Sequence, residues 1–175
     1  MHAARFTRSL GAIALFNGVL LLCFAGDLFA SDKEEDAKKY TQDLRTAKDA
    51  KVKITALNEL AKLAKLMKSL GEPAIPDIYK ALEDKDAGVR AAAAFCLGEC
   101  DDVPEKAIPA LTKLLNNAKE EESVRINAAK GLAAMGPHAK DAVKDLKAVQ
   151  TSEDKKSKLG KEAGNALKAI AQKAK

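Results

Sequence analysis

Residues 89–100 read VRAAAAFCLGEC, and residues 124–135 read VRINAAKGLAAM. Both open on Val-Arg and share Ala at the fifth position and Leu at the ninth, with a hydrophobe, Cys100 or Met135, at the twelfth. Two further segments fit the same template: Val52-Lys53 with Ala56, Leu60 and Leu63, and Leu159-Gly160 with Ala163, Leu167 and Ile170. Their first residues stand 37, 35 and 35 positions apart. Offsets of this kind lie on one stripe of a helix with 3.6 residues per turn. Four copies of one amphipathic helix at a fixed period mark a repeat architecture.

A second apolar helix precedes each copy. Ala74-Ile75-Pro76-Asp77-Ile78 and Ala107-Ile108-Pro109-Ala110-Leu111 are the clear cases, Ala142-Val143-Lys144-Asp145-Leu146 lacks the proline, and the copy around Tyr40 and Leu44 is degenerate. Each repeat is therefore a helix A, a short turn and a helix B. Asp49 and Asp86 stand three residues before Val52 and Val89, where a carboxylate accepts backbone N–H bonds at a helix start. The same acids, and Glu121, lie four before Lys53, Arg90 and Arg125, the favourable orientation for an ion pair along one helix. Lys53, Asp86, Arg90, Glu121 and Arg125 are expected to be structural joints between repeats. Gly71, Gly98 and Gly136 fall near the ends of the B helices, where a left-handed residue closes a helix. Pro76 and Pro109 are expected to bend their A helices.

The pattern A-I-P-x-[IL]-x-x-[AL]-L followed by D-x-x-V-R-x-x-A-x-x-x-L-G resembles HEAT repeats of the short bacterial type, the kind also found in phycobilisome lyases. The resemblance spans residues 37–175 and is closest over 70–136. It implies an all-α chain, an α-α superhelix (armadillo/HEAT-like solenoid) of about four helical hairpins. The expected repeats are 37–70, 71–102, 103–136 and 137–175, the last with a lysine-rich outer face suited to a terminal cap.

Residues 1–30 read as a signal peptide. Arg5 and Arg8 precede the apolar stretch Leu10–Ala25, and small Ala30 stands before Ser31-Asp32. Cleavage after Ala30 leaves a polar spacer, 31–36, and places the protein in a secreted or periplasmic setting with no stable membrane span. An uncleaved anchor is an alternative, although the stretch is shorter than the ~20 residues that span a bilayer. Attachment of lipid at Cys23 is another. The mature chain carries 28 basic and 24 acidic residues, distributed as +3 over 31–70, −4 over 71–137 and +5 over 138–175. A nucleic-acid protein gathers one sign on one face, so nucleic acid is not an expected partner. A basic end built on Lys155, Lys156, Lys158 and Lys161 remains the alternative.

Candidate chemistry is sparse. Cys100 occupies a core position of the template and Cys96 a small-residue position, so both read as packing residues, with a disulfide as the alternative. Beyond the leader His138 is the one histidine. Iron-binding hydroxylases built on HEAT repeats use His-Glu pairs, and no His-Glu dipeptide occurs here. No metal site, cofactor or catalytic residue is expected. Phe95 stands out because its counterparts Asn58, Lys130 and Asn165 are polar. This row is expected on the inner B-helix face and is the candidate protein-binding surface. The function expected from sequence is a non-enzymatic protein-protein interaction scaffold, exported from the cytoplasm, that holds another protein and is a monomer or docked to a larger assembly. The alternatives are a lyase acting on a protein-bound chromophore and a nucleic-acid-binding solenoid.

Overall fold

The computed structural model of the protein describes residues 20–100, 104–152 and 157–172. The side chains of 20–30 are not described, so the targeting-segment reading of 1–30, and with it Lys155, Lys156 and Asp101-Asp102, lies outside the described residues. The chain divides into two units, Met1–Asp32 and Lys33–Lys175.

Eight α-helices run through the described residues: α1 (Leu20–Thr46), α2 (Ala50–Leu66), α3 (Ile75–Ala81), α4 (Ala87–Cys100), α5 (Pro104–Asn116), α6 (Glu122–Met135), α7 (Val143–Ser152) and α8 (Lys158–Gln172). No strand occurs among them. No helix among the described residues is long and apolar enough to cross a membrane. Residues 31–36, expected as a spacer, continue α1. The even-numbered helices stack α2 on α4 on α6 on α8; α3, α5 and α7 pack beside α4, α6 and α8, and α1 joins through Ala37, Tyr40 and Leu44. This is an α-solenoid of helical hairpins.

The template stripe forms the core. Ala56, Leu60, Val89, Ala93, Leu97, Cys100, Val124, Ala128, Leu132, Leu159 and Ala163 are all at most 1% exposed. Leu63, Met135 and Ile170 are buried at 5–7% exposure, and two template positions are not buried. Val52 is 43% exposed because α2 is the first B helix of the stack, and no earlier B helix among the described residues covers it. Leu167, on the last B helix, is only half-buried. Among the buried template residues, the Leu and Val side chains are each worth about 1.5–3 kcal/mol on burial, and the alanines let the helices approach.

The helix starts follow the expected capping. Asp49 Oδ1 accepts the Lys51 N–H at 2.7 Å, and Asp86 Oδ1 accepts the Val89 N–H at 3.0 Å. The fourth B helix, which has lysine where an acid was expected, is capped by Ser157, whose Oγ accepts the Gly160 N–H at 3.0 Å. Glu121 makes no side-chain cap. Of the three glycines expected to close B helices, only Gly136 has a left-handed backbone, with φ 58°. Gly71 is right-handed at φ −87°. Gly98 lies inside α4, and its task is different: a Cβ there would stand 2.3 Å from the Gly131 Cα and carbonyl oxygen of α6. A Cβ on Gly131 would stand 2.6 Å from the Ala94 carbonyl oxygen. The two helices meet backbone to backbone. Pro76 sits in the first turn of α3, where its missing N–H does no harm, and Pro109 lies within an unbroken α5.

Gly98→Ala should force α4 and α6 apart and cost about 1–3 kcal/mol, the usual range for overpacking. Gly164→Ala is the contrast: its Cβ would meet only the movable end of Gln150, at 2.7 Å. It should be neutral or stabilising by up to about 1 kcal/mol through helix propensity. Urea denaturation of the two variants measures both effects.

Candidate functional site

The joints between repeats are built from ions that reach along the stack rather than along one helix. Lys53 Nζ of repeat 1 donates to Asp84 Oδ2 of repeat 2 at 2.6 Å. Arg90 of repeat 2 forks onto Glu120 of repeat 3, Nη2 to Oε1 at 2.6 Å and Nε to Oε2 at 3.2 Å. Its Nη1 also donates to the carbonyls of Asp84 and Lys85 at 2.8 and 3.0 Å. In the A-helix layer, Arg45 donates from Nε and Nη2 to Asp77 Oδ2 at 3.1 and 2.9 Å, and Asn116 donates to Asp145 Oδ1 at 2.7 Å. The partners lie 29 to 32 residues apart, nearly one repeat.

Lys53 and Arg90 therefore pair with Asp84 and Glu120, not with Asp49 and Asp86 as the local spacing implied. Asp86 serves as a helix cap, and its N–H donates to Asp84 Oδ1 at 3.0 Å. The Glu121 N–H donates to Glu120 Oε1 at 2.9 Å, and Arg125 Nε donates to the Leu115 carbonyl at 2.9 Å. Asp84, Glu120, Arg45 and Asp77 were missed. The signal that finds them is the recurrence of opposite charges just under one period apart.

These contacts perturb the ionisation of the acids. The Asp86 N–H, then Lys53, hold the Asp84 carboxyl below its ordinary range. Arg90 does the same for Glu120 and is itself held more firmly protonated by that glutamate. Burial pushes the Asp77 carboxyl up, but hydrogen bonds and charge from Lys80 and Arg45 outweigh it and leave it lowered. Two concavities lie against this ladder. One, about 220 Å³, is lined by Leu44, Arg45, Lys53, Asp77, Lys80 and Asp84. The other, about 460 Å³, adds Lys48, Lys85 and Asp86.

The row expected to bind a protein is placed on the B helices. Asn58, Lys130 and Asn165 are exposed on α2, α6 and α8. Phe95 of α4 is half-buried and packs against the core alongside Ile54 and Ile126. Cys96 and Cys100 are fully buried free thiols with Sγ atoms 3.5 Å apart, well beyond bonding distance. The Cys100 hydrogen bond and burial push the Cys96 thiol far up, so it stays protonated and unreactive. His138 is exposed on the 3₁₀ turn Gly136–Ala142. Among the described residues no group of three His, Cys, Asp or Glu side chains is placed to hold a metal.

This arrangement of stacked hairpins defines an α-solenoid of the HEAT type. A model of the HEAT repeats family matches residues 37–122, just under half of the chain. No curated protein matches the chain. A solved structure of human deoxyhypusine hydroxylase in complex with glycerol is similar at 26% identity and TM-score 0.57, covering 83% of this chain and 47% of that one. The chain thus spans about half the length of that enzyme. This likeness corrects the expectation of a non-enzymatic interaction scaffold. An enzyme shares the fold across most of the chain, so neither the absence of activity nor a purely passive role follows from the repeats.

Arg90→Ala should cost about 2 kcal/mol by leaving Glu120, 10% exposed, without its fork. Lys62→Ala, which removes a surface pair with Glu59, should cost less than about 0.5 kcal/mol. Differential scanning calorimetry separates the two. Acids whose pKa is lowered by folding add stability above their unfolded pKa and lose it as pH falls through the folded value. Stability should therefore decline as pH drops below about 4.5, and Asp84→Asn should be less stable at neutral pH with a flatter acid limb.

Proposed function

We propose that the chain is the polypeptide-binding component of an enzyme of the HEAT-repeat hydroxylase kind. The observation that carries this reading is the likeness to deoxyhypusine hydroxylase over 83% of the chain. The surface assigned to the polypeptide is the row Asn58, Phe95, Lys130 and Asn165. A half-buried aromatic ring among exposed amides and an ammonium offers one apolar anchor with polar surroundings, the usual make-up of a binding centre.

An iron centre is the group this kind of enzyme implies. The described residues do not fit one. The carboxylates of the ladder concavity, Asp77 and Asp84, are already held by Arg45, Lys80 and Lys53; His138 lines another concavity with Glu105 and Asp141, but these are not placed as a group that could hold a metal. No step is derived through such a centre. The likeness to phycobilisome lyases rests on the repeat motif and adds no activity. Export is part of the proposal and rests on Arg5, Arg8 and the apolar stretch Leu10–Ala25. The compact unit begins at Lys33, close after the proposed cleavage at Ala30.

The full chain should be titrated with fluorescently labelled lysine-bearing polypeptides and binding read by anisotropy. Saturable binding supports the polypeptide-binding reading, and its absence overturns it. Lys130→Glu and Phe95→Ala should each weaken the affinity about fivefold, the effect of roughly 1 kcal/mol of binding. Affinities unchanged in both would remove the B-helix row. A native N-terminus at Ser31, found by sequencing the exported protein, tests the leader. A retained residue 1–30 would exclude cleavage.

A further inference from the structure

The concavity between the first two repeats holds more positive charge than its acids neutralise. Asp77, 6% exposed, is the one buried charged residue among those described. Both of its oxygens are taken, Oδ2 by Arg45 Nε and Nη2, and Oδ1 by Lys80 Nζ at 2.9 Å. One carboxylate thus serves two cations. In the next joint the account is even: Asp84 takes Lys53 alone, and Glu120 takes Arg90 alone. The side chains of Arg45 and Lys80 are 54% and 77% exposed, so their remaining N–H donors meet the open concavity while the buried acid fixes their positions. The adjoining concavity adds Lys48 and Lys85 against Asp86 alone, and Asp86 is spent on the α4 cap. Arg45, Lys48 and Lys53 come from 31–70, net +3, and Lys80 and Lys85 from 71–137, net −4.

We propose that the concavity at Arg45, Lys53 and Lys80 binds an oxyanion, a carboxylate or a phosphate, held by the open donors of Arg45 and Lys80. Its logic is that of a preorganised cation pair. Asp77 orients a guanidinium and an ammonium from two different repeats, and the ligand supplies the second negative charge they lack. Buried, perturbed acids beside a cavity are a recognised mark of such sites. The oxyanion has two possible sources, a free small anion or an acidic side chain of a polypeptide. The site stands apart from the B-helix row and does not depend on the enzyme reading.

The test is a titration of the isotopically labelled full chain, followed by NMR through the Arg45 Nε–H and the amides of 77–85. Inorganic phosphate is one ligand and a glutamate-rich peptide the other, both at low ionic strength with chloride as the control. A saturable shift with phosphate or peptide, not reproduced by chloride, is the expected result. The tighter of the two ligands identifies the source. Lys80→Gln should weaken binding about tenfold, as loss of one charge-assisted hydrogen bond implies. Arg45→Gln should do the same, and Lys62→Gln, on the surface of α2, should leave it unchanged. No saturable shift with either ligand overturns the site. So does equal weakening by Lys62→Gln, or an undiminished shift in Lys80→Gln with the fold confirmed by its amide spectrum.

Discussion

The approach of α4 to α6 at Gly98 and Gly131 is the constraint on which the rest of the unit depends. No side chain separates the two backbones at that point. The small residues around it, Ala91, Ala93, Ala94 and Ala128, are buried at the same crossing or beside it. Close stacking maximises dispersion contacts per residue in a chain with few aromatics to fill space. It also fixes the distance between successive helix starts. Short-range ion pairs such as Lys53–Asp84 at 2.6 Å and Arg90–Glu120 at 2.6 Å exist only because the layers are held this near.

The charge ladder in turn explains how a solenoid with a nearly uniform Ala/Leu seam keeps its register. Hydrophobic contacts of similar size tolerate sliding, whereas a forked guanidinium does not. A largely buried pair is weak evidence for net stability, because desolvation opposes the attraction. Its effect here is geometric. Arg90 binds Glu120 and two carbonyls of the preceding loop at once, so the end of α3, the start of α4 and the start of α6 are tied at one side chain.

Much of this was legible from sequence. The stripe through Val89, Ala93, Leu97 and Cys100 identified the B helices and placed Cys100 in the core, because identity at several offsets is hard to satisfy except by shared packing. The partners of Lys53 and Arg90 were misread. The i,i+4 rule describes a lone helix, but in a stack the acid of the next repeat, Asp84 at 13% or Glu120 at 10% side-chain exposure, is little solvated and wins. Gly98 was read as a helix end since glycine commonly closes helices; its helical phase, facing the following repeat, carried the other meaning. The inference from missing catalytic motifs to a passive scaffold had no physical support, since a fold shared with an enzyme leaves activity open. Val52 shows the limit from the other side. It matches the template in sequence, yet its environment depends on a neighbour that none of the described residues supplies to the first repeat.

The A-helix position of Asp77 separates what the repeat demands from what it does not. The equivalent residues are Ala110 in the third repeat and Asp145 in the fourth. Ala110 shows that the architecture needs no acid there. Asp145 is half-exposed and takes a neutral amide from Asn116, a contact that adds little charge to the surface. Only Asp77 is buried, and only there do cations from two repeats converge on one carboxylate. Burying an acid carries a desolvation cost that packing alone gives no reason to bear. The cost is offset by Arg45 and Lys80, and what remains after that neutralisation is a surplus of positive charge at the rim of a concavity. A feature that the repeat does not require, that is costly to build and that leaves a directed charge facing an open space is the part of this molecule best separated from its scaffold.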